Sequence, residues 1–267
     1  MGTILDQFLD FNVTAGVLSD SAGRALGCLI SKVHKNKGLM YSSYNKLYDA
    51  GIVPIMDYCS GVWGYKKYSK CDVVQNKGAR AFLGVHRFAP NLAVNGDMGW
   101  TPPIIRRQSN MVRLWYRFLV MNPSRLTKKI FLWDYDLACQ GAKNWCSEVR
   151  SILNVSNIEF IKEIGVNTPK LNDMLKNVET SLKNEYITKW RDDVDSTPKL
   201  RTYKLFKKEY TPEPYVTAHL SRAERSFMAQ FRIGILPLHV ETGRYKNPKT
   251  PIEQLSLIHI SEPTRRS

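Results

Sequence analysis

The chain has 267 residues, 43% hydrophobic and 11% aromatic, enough to bury the core of one large or two ordinary domains. Its 39 Lys and Arg outnumber 24 Asp and Glu, giving a net charge of +15 and an isoelectric point near 9.6. That excess points to a polyanionic partner, nucleic acid first and an anionic membrane surface second. The five cysteines (Cys28, Cys59, Cys71, Cys139, Cys146) form no C-x-x-C pair, and no His lies at ligand spacing from them, so a zinc knuckle and a disulfide framework are excluded. Reduced, buried thiols are expected. The first residues lack the pattern of a signal peptide, and no apolar run approaches the roughly 18 residues of a membrane span. The expectation is a soluble protein of the cytoplasm or nucleus, not a secreted or membrane one.

In chain order, Thr3-Ile4-Leu5 reads as a strand end. Thr14 to Lys35 is an amphipathic helix, with Leu18, Ala22, Ala25, Leu26, Leu29 and Val33 recurring at helical spacing. Lys32, Lys35 and Lys37 cluster at its end, where the helix dipole favours cations, and Gly38 stops it. Tyr41 to Ala50 is a second helix with Tyr44, Leu47 and Tyr48 inward. Val53 to Trp63 is nearly all apolar, with Pro54 suited to a helix start and Tyr58 and Val62 on one face. Asp72 to Leu83 carries Val73, Val74, Ala79, Phe82 and Leu83 inward and Lys77 and Arg80 outward, with Gly84 as its C-terminal cap. A loop holding Arg87 then runs to Gly99-Trp100, and Pro102-Pro103 opens a further helix.

On that helix Arg106, Asn110, Arg113 and Arg117 form one narrow stripe at 100° per residue, with Met111, Trp115, Phe118 and Leu119 opposite. Between Asp97 and Asp134 there are seven basic residues and no acidic one. Mixed signs would stabilise a neutral surface helix better, so the stripe reads either as a solvated face or as a phosphate-contact face. Arg125 to Trp133 is a short helix. Asp134 to Tyr210 is polar with sparse apolar residues and reads as a loosely packed helical second module. Thr211-Pro212-Glu213-Pro214 marks a linker, and Ser221 to Leu238 is a last helix, stopped at Gly234 and Pro237. The final LSLIHISEPTRRS, residues 255–267, resembles translated sequencing-adapter read-through and is set aside. The fold class expected is mainly α.

Chemistry is scarce. Asp192-Asp193, with Asp195 nearby, are the right residue type for a magnesium site, but WRDDVDSTPK lacks the apolar strands that would fix such carboxylates. His34 and His86 sit beside basic residues and suit a polyanion or solvent better than acid–base work. No phosphate-cradling loop, nucleophile elbow or zinc-protease spacing occurs. No catalytic residue, metal ligand or cofactor is assigned. A binding role fits better: residues 1–130 hold 18 Lys and Arg against 7 Asp. Cations on a rigid scaffold are what phosphate contacts need, and Tyr65, Tyr68, Phe88 and Trp100 are available for stacking or for core.

LYDAGIVPIMDYCSGVWGY, QNKGARAFLGVHRFAPNLAVNGDMGWTPPIIRR and RLTKKIFLWDYD resemble, in order, the segment after the palm in reverse transcriptases of non-LTR (LINE-type, jockey-like) retrotransposons. The family pattern falls on Tyr58, Trp63 and Gly64, on Gln75 to Gly84, and on Gly99-Trp100. The resemblance implies a helical thumb-like domain with a palm-end strand remnant over 1–133, a charged helical connector over 134–210, and a segment preceding a zinc knuckle over 211–254. The palm, whose catalytic aspartates use magnesium, and the knuckle itself would lie outside the chain. The implied function is sequence-independent binding of an RNA–DNA or RNA template–primer duplex, partnered with the missing palm and without catalysis of its own. The cations implied in contact are Lys32, Lys35, Lys37, Lys77, Arg80, Arg87, Arg106, Arg113 and Arg117; Tyr58, Trp63, Gly64, Gly84, Gly99 and Trp100 are implied as architecture. The alternatives are an inactive helical remnant of a mobile element and, last, a metal-dependent enzyme acting through Asp192 and Asp193.

Overall fold

The computed structural model describes residues 2–5, 7, 10–36, 38–165 and 168–236, and among them the protein is mainly helical with no strand. The helices are α1 (Asn12–Lys35), α2 (Tyr41–Gly51), the short turns α3 (Val53–Met56) and α4 (Ser60–Trp63), α5 (Ser69–Leu83), α6 (Asn91–Met98), α7 (Pro103–Leu119), α8 (Leu126–Cys139), α9 (Trp145–Val155), α10 (Leu171–Ser196), the single turns α11 (Tyr203–Phe206) and α12 (Pro214–Thr217), and α13 (Arg222–Ile233). The expected strand at Thr3–Leu5 is not formed. The backbone of Ile4 is tied instead to the buried Thr14 side chain, its N–H donating to Oγ1 at 3.1 Å and its carbonyl accepting from the hydroxyl at 2.5 Å. A β-ladder partner is thereby replaced by a side chain of α1.

The chain divides into two compact units. The first comprises Met1–Ser31, Asn45–Gln75 and Thr101–Lys189; the second comprises Lys32–Tyr44, Asn76–Trp100 and the chain from Trp190 on. These units do not follow the expected boundaries at 133/134 and 210/211. The core of the first unit explains the difference. Met111, Val112, Trp115 and Leu119 of α7 pack with Phe131 of α8, Val149, Ile152 and Leu153 of α9, and Met174, Val178 and Leu182 of α10. The few apolar residues beyond 134 are therefore the other wall of the α7 core. At about 1.5–3 kcal/mol per fully buried large apolar side chain, that is a substantial core.

Local chemistry sets the α7 ends. Pro102 is extended and Pro103 occupies the first turn, where its missing N–H is no loss. At the other end buried Lys128 donates to the Leu119 carbonyl at 3.3 Å and to the Lys162 carbonyl at 3.1 Å. Burial lowers the pKa of that ammonium, but the carbonyls at a helix C-terminus favour the cation. The expected apolar helix over Val53–Trp63 is broken into α3 and α4 by the turn at Asp57–Cys59, with Cys59 at φ 53°. Tyr58 is 40% exposed, and Val62, with Leu47 and Val73, both expected inward, is exposed to a similar or larger degree. The segment before Gly99, expected as a loop, is α6, capped by left-handed Gly99 at φ 63°.

Candidate nucleic-acid interface

The expected Arg106/Arg113/Arg117 stripe is divided by the fold. Arg106, at the inner end, donates from Nε to Asp57 Oδ2 at 2.9 Å, and from one terminal nitrogen to Gln75 Oε1 at 2.9 Å and the Thr101 carbonyl at 2.8 Å. Those contacts fix the start of α7 to the turn at Asp57. Arg113 and Arg117 are exposed. Arg113 donates to Asn110 Oδ1 at 2.8 Å, and Asn110 in turn donates to Ser60 Oγ at 2.8 Å, so this edge of α7 is ordered from below.

Arg107, which no sequence reading singled out, is fully buried. Its guanidinium carbon lies 5.5 Å from the ring centres of both Trp63 and Tyr68, and its nearest carboxylate oxygen is Asp57 Oδ1 at 3.8 Å. None of its guanidinium nitrogens has a hydrogen-bond partner. Cation–π attraction in a dry site is what holds it. A signal was available: Met111, Trp115 and Phe118 fall within 80° of Arg107 on the helical wheel, placing it on the apolar side. Gly64 belongs to this arrangement, because a Cβ there would sit 2.7 Å from Arg107 Cβ and 2.5 Å from the Ser60 carbonyl. Trp63 is buried and donates from its indole to the Tyr58 carbonyl at 3.0 Å, so Tyr58 contributes its backbone and leaves its ring outside.

Beside the exposed arginines lies a cavity of about 540 Å³ between the Asp57–Gly61 turn and the outer edge of α7. Arg113, Tyr116 and Arg117 line it together with Leu114, Val120 and Leu171. Gly61 makes the close approach possible, since a Cβ there would lie 3.1 Å from both the Asn110 carbonyl and Leu114 Cβ. The Gly61 carbonyl also accepts from the Trp145 indole at 3.0 Å.

The remaining cations lie in the second unit, except Lys37, which is outside the described residues. Lys32, Lys35 and Lys77 are exposed. Arg80 is half-buried and donates to the Ala89 carbonyl at 2.8 Å and to Asn91 Oδ1, tying the start of α6 to α5. Arg87 is exposed, and its guanidinium stands 4.7 Å from the ring centre of Phe88, which is itself 66% exposed and beside His86. Of the other aromatics named for stacking, Tyr68 and Trp100 are buried and Tyr65 is half-buried. Trp100 stacks on Tyr44 with centres 6.2 Å apart. Gly84 caps α5 at φ 69°, and its carbonyl accepts from Ser226 at 2.6 Å.

Asp97 is the residue around which the second unit is built, and it carried no sequence signal beyond its place before Gly99-Trp100. Fully buried, it accepts from the Tyr215 hydroxyl at 2.6 Å and the Tyr203 hydroxyl at 3.0 Å, with Arg232 Nε at 3.5 Å. Glu213 continues the network, pairing with Arg232 at 2.9 Å and with buried Lys207 at 2.6 Å. Burial raises the Asp97 pKa against these favourable partners, and it lowers that of Lys207. Both phenols are pushed well above their ordinary value by burial first and by the Asp97 charge second.

Asp192 and Asp193 are exposed near the end of α10. Among the described residues no group of three or more His, Cys, Asp or Glu is placed to hold a metal ion, and no helix is long and apolar enough to cross a membrane. Residues 237–267, which include Pro237 and the adapter-like tail, are outside the described residues. Comparison with protein families, with curated proteins and with solved structures finds no match.

Proposed function

We propose that the chain binds the backbone of a nucleic-acid duplex without reading its sequence, in the manner of a reverse-transcriptase thumb of the non-LTR retrotransposon type. The observation that carries this reading is the outer edge of α7. Its opposite face is locked into the first unit's core, while Arg113 and Arg117 project from it with no acidic residue between Asp97 and Asp134 to neutralise them. Exposed Lys77 and the Arg87–Phe88 pair add cations in the second unit. Arg80 and Arg106 serve mainly as ties within their own units, through the hydrogen bonds that occupy them. The family resemblance over Tyr58–Gly64, Gln75–Gly84 and Gly99–Pro102 supports the same role. In this reading the chain contributes binding, and the chemistry of polymerisation belongs to the palm domain that the resemblance implies.

The test is binding of an RNA–DNA hybrid of mixed sequence as salt is raised. Affinity falls linearly in log–log form, with a slope of about −0.9 per phosphate contacted for B-form DNA. Arg113→Ala and Arg117→Ala each reduce that slope by about 1 and weaken all sequences alike. Affinity independent of salt rejects the reading.

A further inference from the structure

The cavity beside Arg113 and Arg117 has a construction that backbone binding alone does not require. Backbone contacts need only exposed cations, whereas this is a concavity of about 540 Å³, within the roughly 300–1,000 Å³ of small-ligand sites. Its lining is mixed in chemistry. Arg113 and Arg117 stand four residues apart on α7, where neighbouring Cβ atoms lie about 5–6 Å apart, a spacing from which two guanidinium groups close on one phosphate. Leu171, the first residue of α10, lines the same cavity and brings that helix's positive end toward it. Leu114, Tyr116, Val120 and Leu171 give the lining an apolar part suited to a planar body, and Cys59, Ser60, Asn110 and Asp57, whose carboxylate is paired with Arg106 at 2.9 Å, also line it. An apolar ligand would leave the arginines without purpose, and a bare phosphate would leave the apolar wall exposed to water.

We infer that this groove seats a single nucleoside phosphate, its phosphate on Arg113 and Arg117 and its base against Tyr116 and the apolar wall. The volume is enough for one nucleotide. Two sources have this chemistry, a free mononucleotide and an unpaired nucleotide at the end of a bound strand. The inference rests on the proposed backbone binding only in sharing the two arginines.

The test uses the whole chain and four probes at one salt concentration: a blunt duplex, the same duplex with a one-nucleotide overhang, the same overhang made abasic, and a free mononucleoside monophosphate. A base held in the groove makes the normal overhang bind about tenfold tighter than the abasic one, in line with base–aromatic stacking elsewhere. Tyr116→Ala abolishes that ratio and leaves blunt-duplex affinity unchanged; the abasic comparison gives the answer even if that variant folds poorly. Saturable binding of the mononucleotide, competed by the overhang, assigns the free source, and an overhang effect without it assigns the strand end. Equal affinity for normal and abasic overhangs together with no mononucleotide binding overturns the inference, while salt-sensitive duplex binding would survive that result. Mononucleotide binding with no duplex binding has the opposite meaning: the groove stands and the backbone reading falls.

Discussion

The first unit buries, besides Lys128, the cation Arg107, enclosed by Trp63 and Tyr68 with no hydrogen bond to its guanidinium and its nearest carboxylate oxygen 3.8 Å away. The second buries, besides Lys207 and Arg225, the carboxylate Asp97, with two phenolic donors and an arginine around it. The contrast separates two uses of a buried charge. Arg107 sits at the edge of an apolar core that α7, α8, α9 and α10 already supply, so its charge is incidental to how that unit holds together. The second unit has short helical turns, α11 and α12, and gathers them through polar contacts converging on Asp97 and Glu213. Its backbone takes part as well: the Asp97 carbonyl accepts from the Glu213 N–H at 3.0 Å. Both units bury apolar side chains, and the second adds a polar network whose members depend on one another.

The largest test of that contrast is Asp97→Ala. Removing one member of a buried, hydrogen-bonded charge group takes the acceptor from Tyr215, leaves Tyr203 the Ala93 carbonyl and leaves Arg232 Glu213 alone, which costs about 3 kcal/mol. Urea unfolding followed by circular dichroism, with hydrogen exchange to locate the change, should show protection lost first around α6, α11 and α13. Next in size is Gly64→Ala, at about 1–3 kcal/mol, because the added methyl meets the Ser60 carbonyl and Arg107 Cβ rather than a movable side-chain end. The same unfolding curves measure it. Arg107→Met should do far less, within about 1.5 kcal/mol in either direction, since the aliphatic stem is kept and Asp57 retains Arg106 at 2.9 Å. A loss as large as that of Asp97→Ala would erase the distinction between the two centres.

Much of the framework was legible in the sequence because it rests on short-range rules. The α1 register followed from Leu18, Ala22, Leu26, Leu29 and Val33, all of them buried, with Ala25 half-buried beside them. The Gly84 cap and the Pro102-Pro103 start of α7 followed from backbone preferences. What periodicity did not reach is the long-range polar pairing. Asp97 meets Tyr203 and Tyr215 across more than a hundred residues, and nothing local in NGDMGW announces that partnership. Arg106 and Arg107 show the same limit at single-residue scale. Both are arginines one position apart, and only the location of Asp57 and of the Trp63–Tyr68 pair decides that one ties a turn and the other is enclosed. The polar composition of 134–210 suggested loose packing, yet regularly placed Val149, Ile152, Met174, Val178 and Leu182 suffice to complete a core when a strongly apolar helix face is waiting for them.

The smallest expected effect is the most discriminating about the second centre. Burial raises the Asp97 carboxyl above its ordinary 3.8, while the Tyr215 hydrogen bond and then the Arg232 charge pull it back. With burial dominant, the folded state holds the proton more tightly than the unfolded chain does. The contribution of Asp97 to stability is then full below about pH 4 and is lost as pH rises through the raised value. Asp97→Asn does not titrate, so it isolates this term. Wild-type stability minus that of the variant, measured by urea unfolding at successive pH values, should fall from about pH 4 upward and level off once the carboxyl is ionised in both states. A difference that rises with pH over the same window means the two phenols and Arg232 outweigh desolvation. Asp97 would then be stabilised chiefly as a paired anion, and the second unit would owe its cohesion to charge as well as to hydrogen bonding.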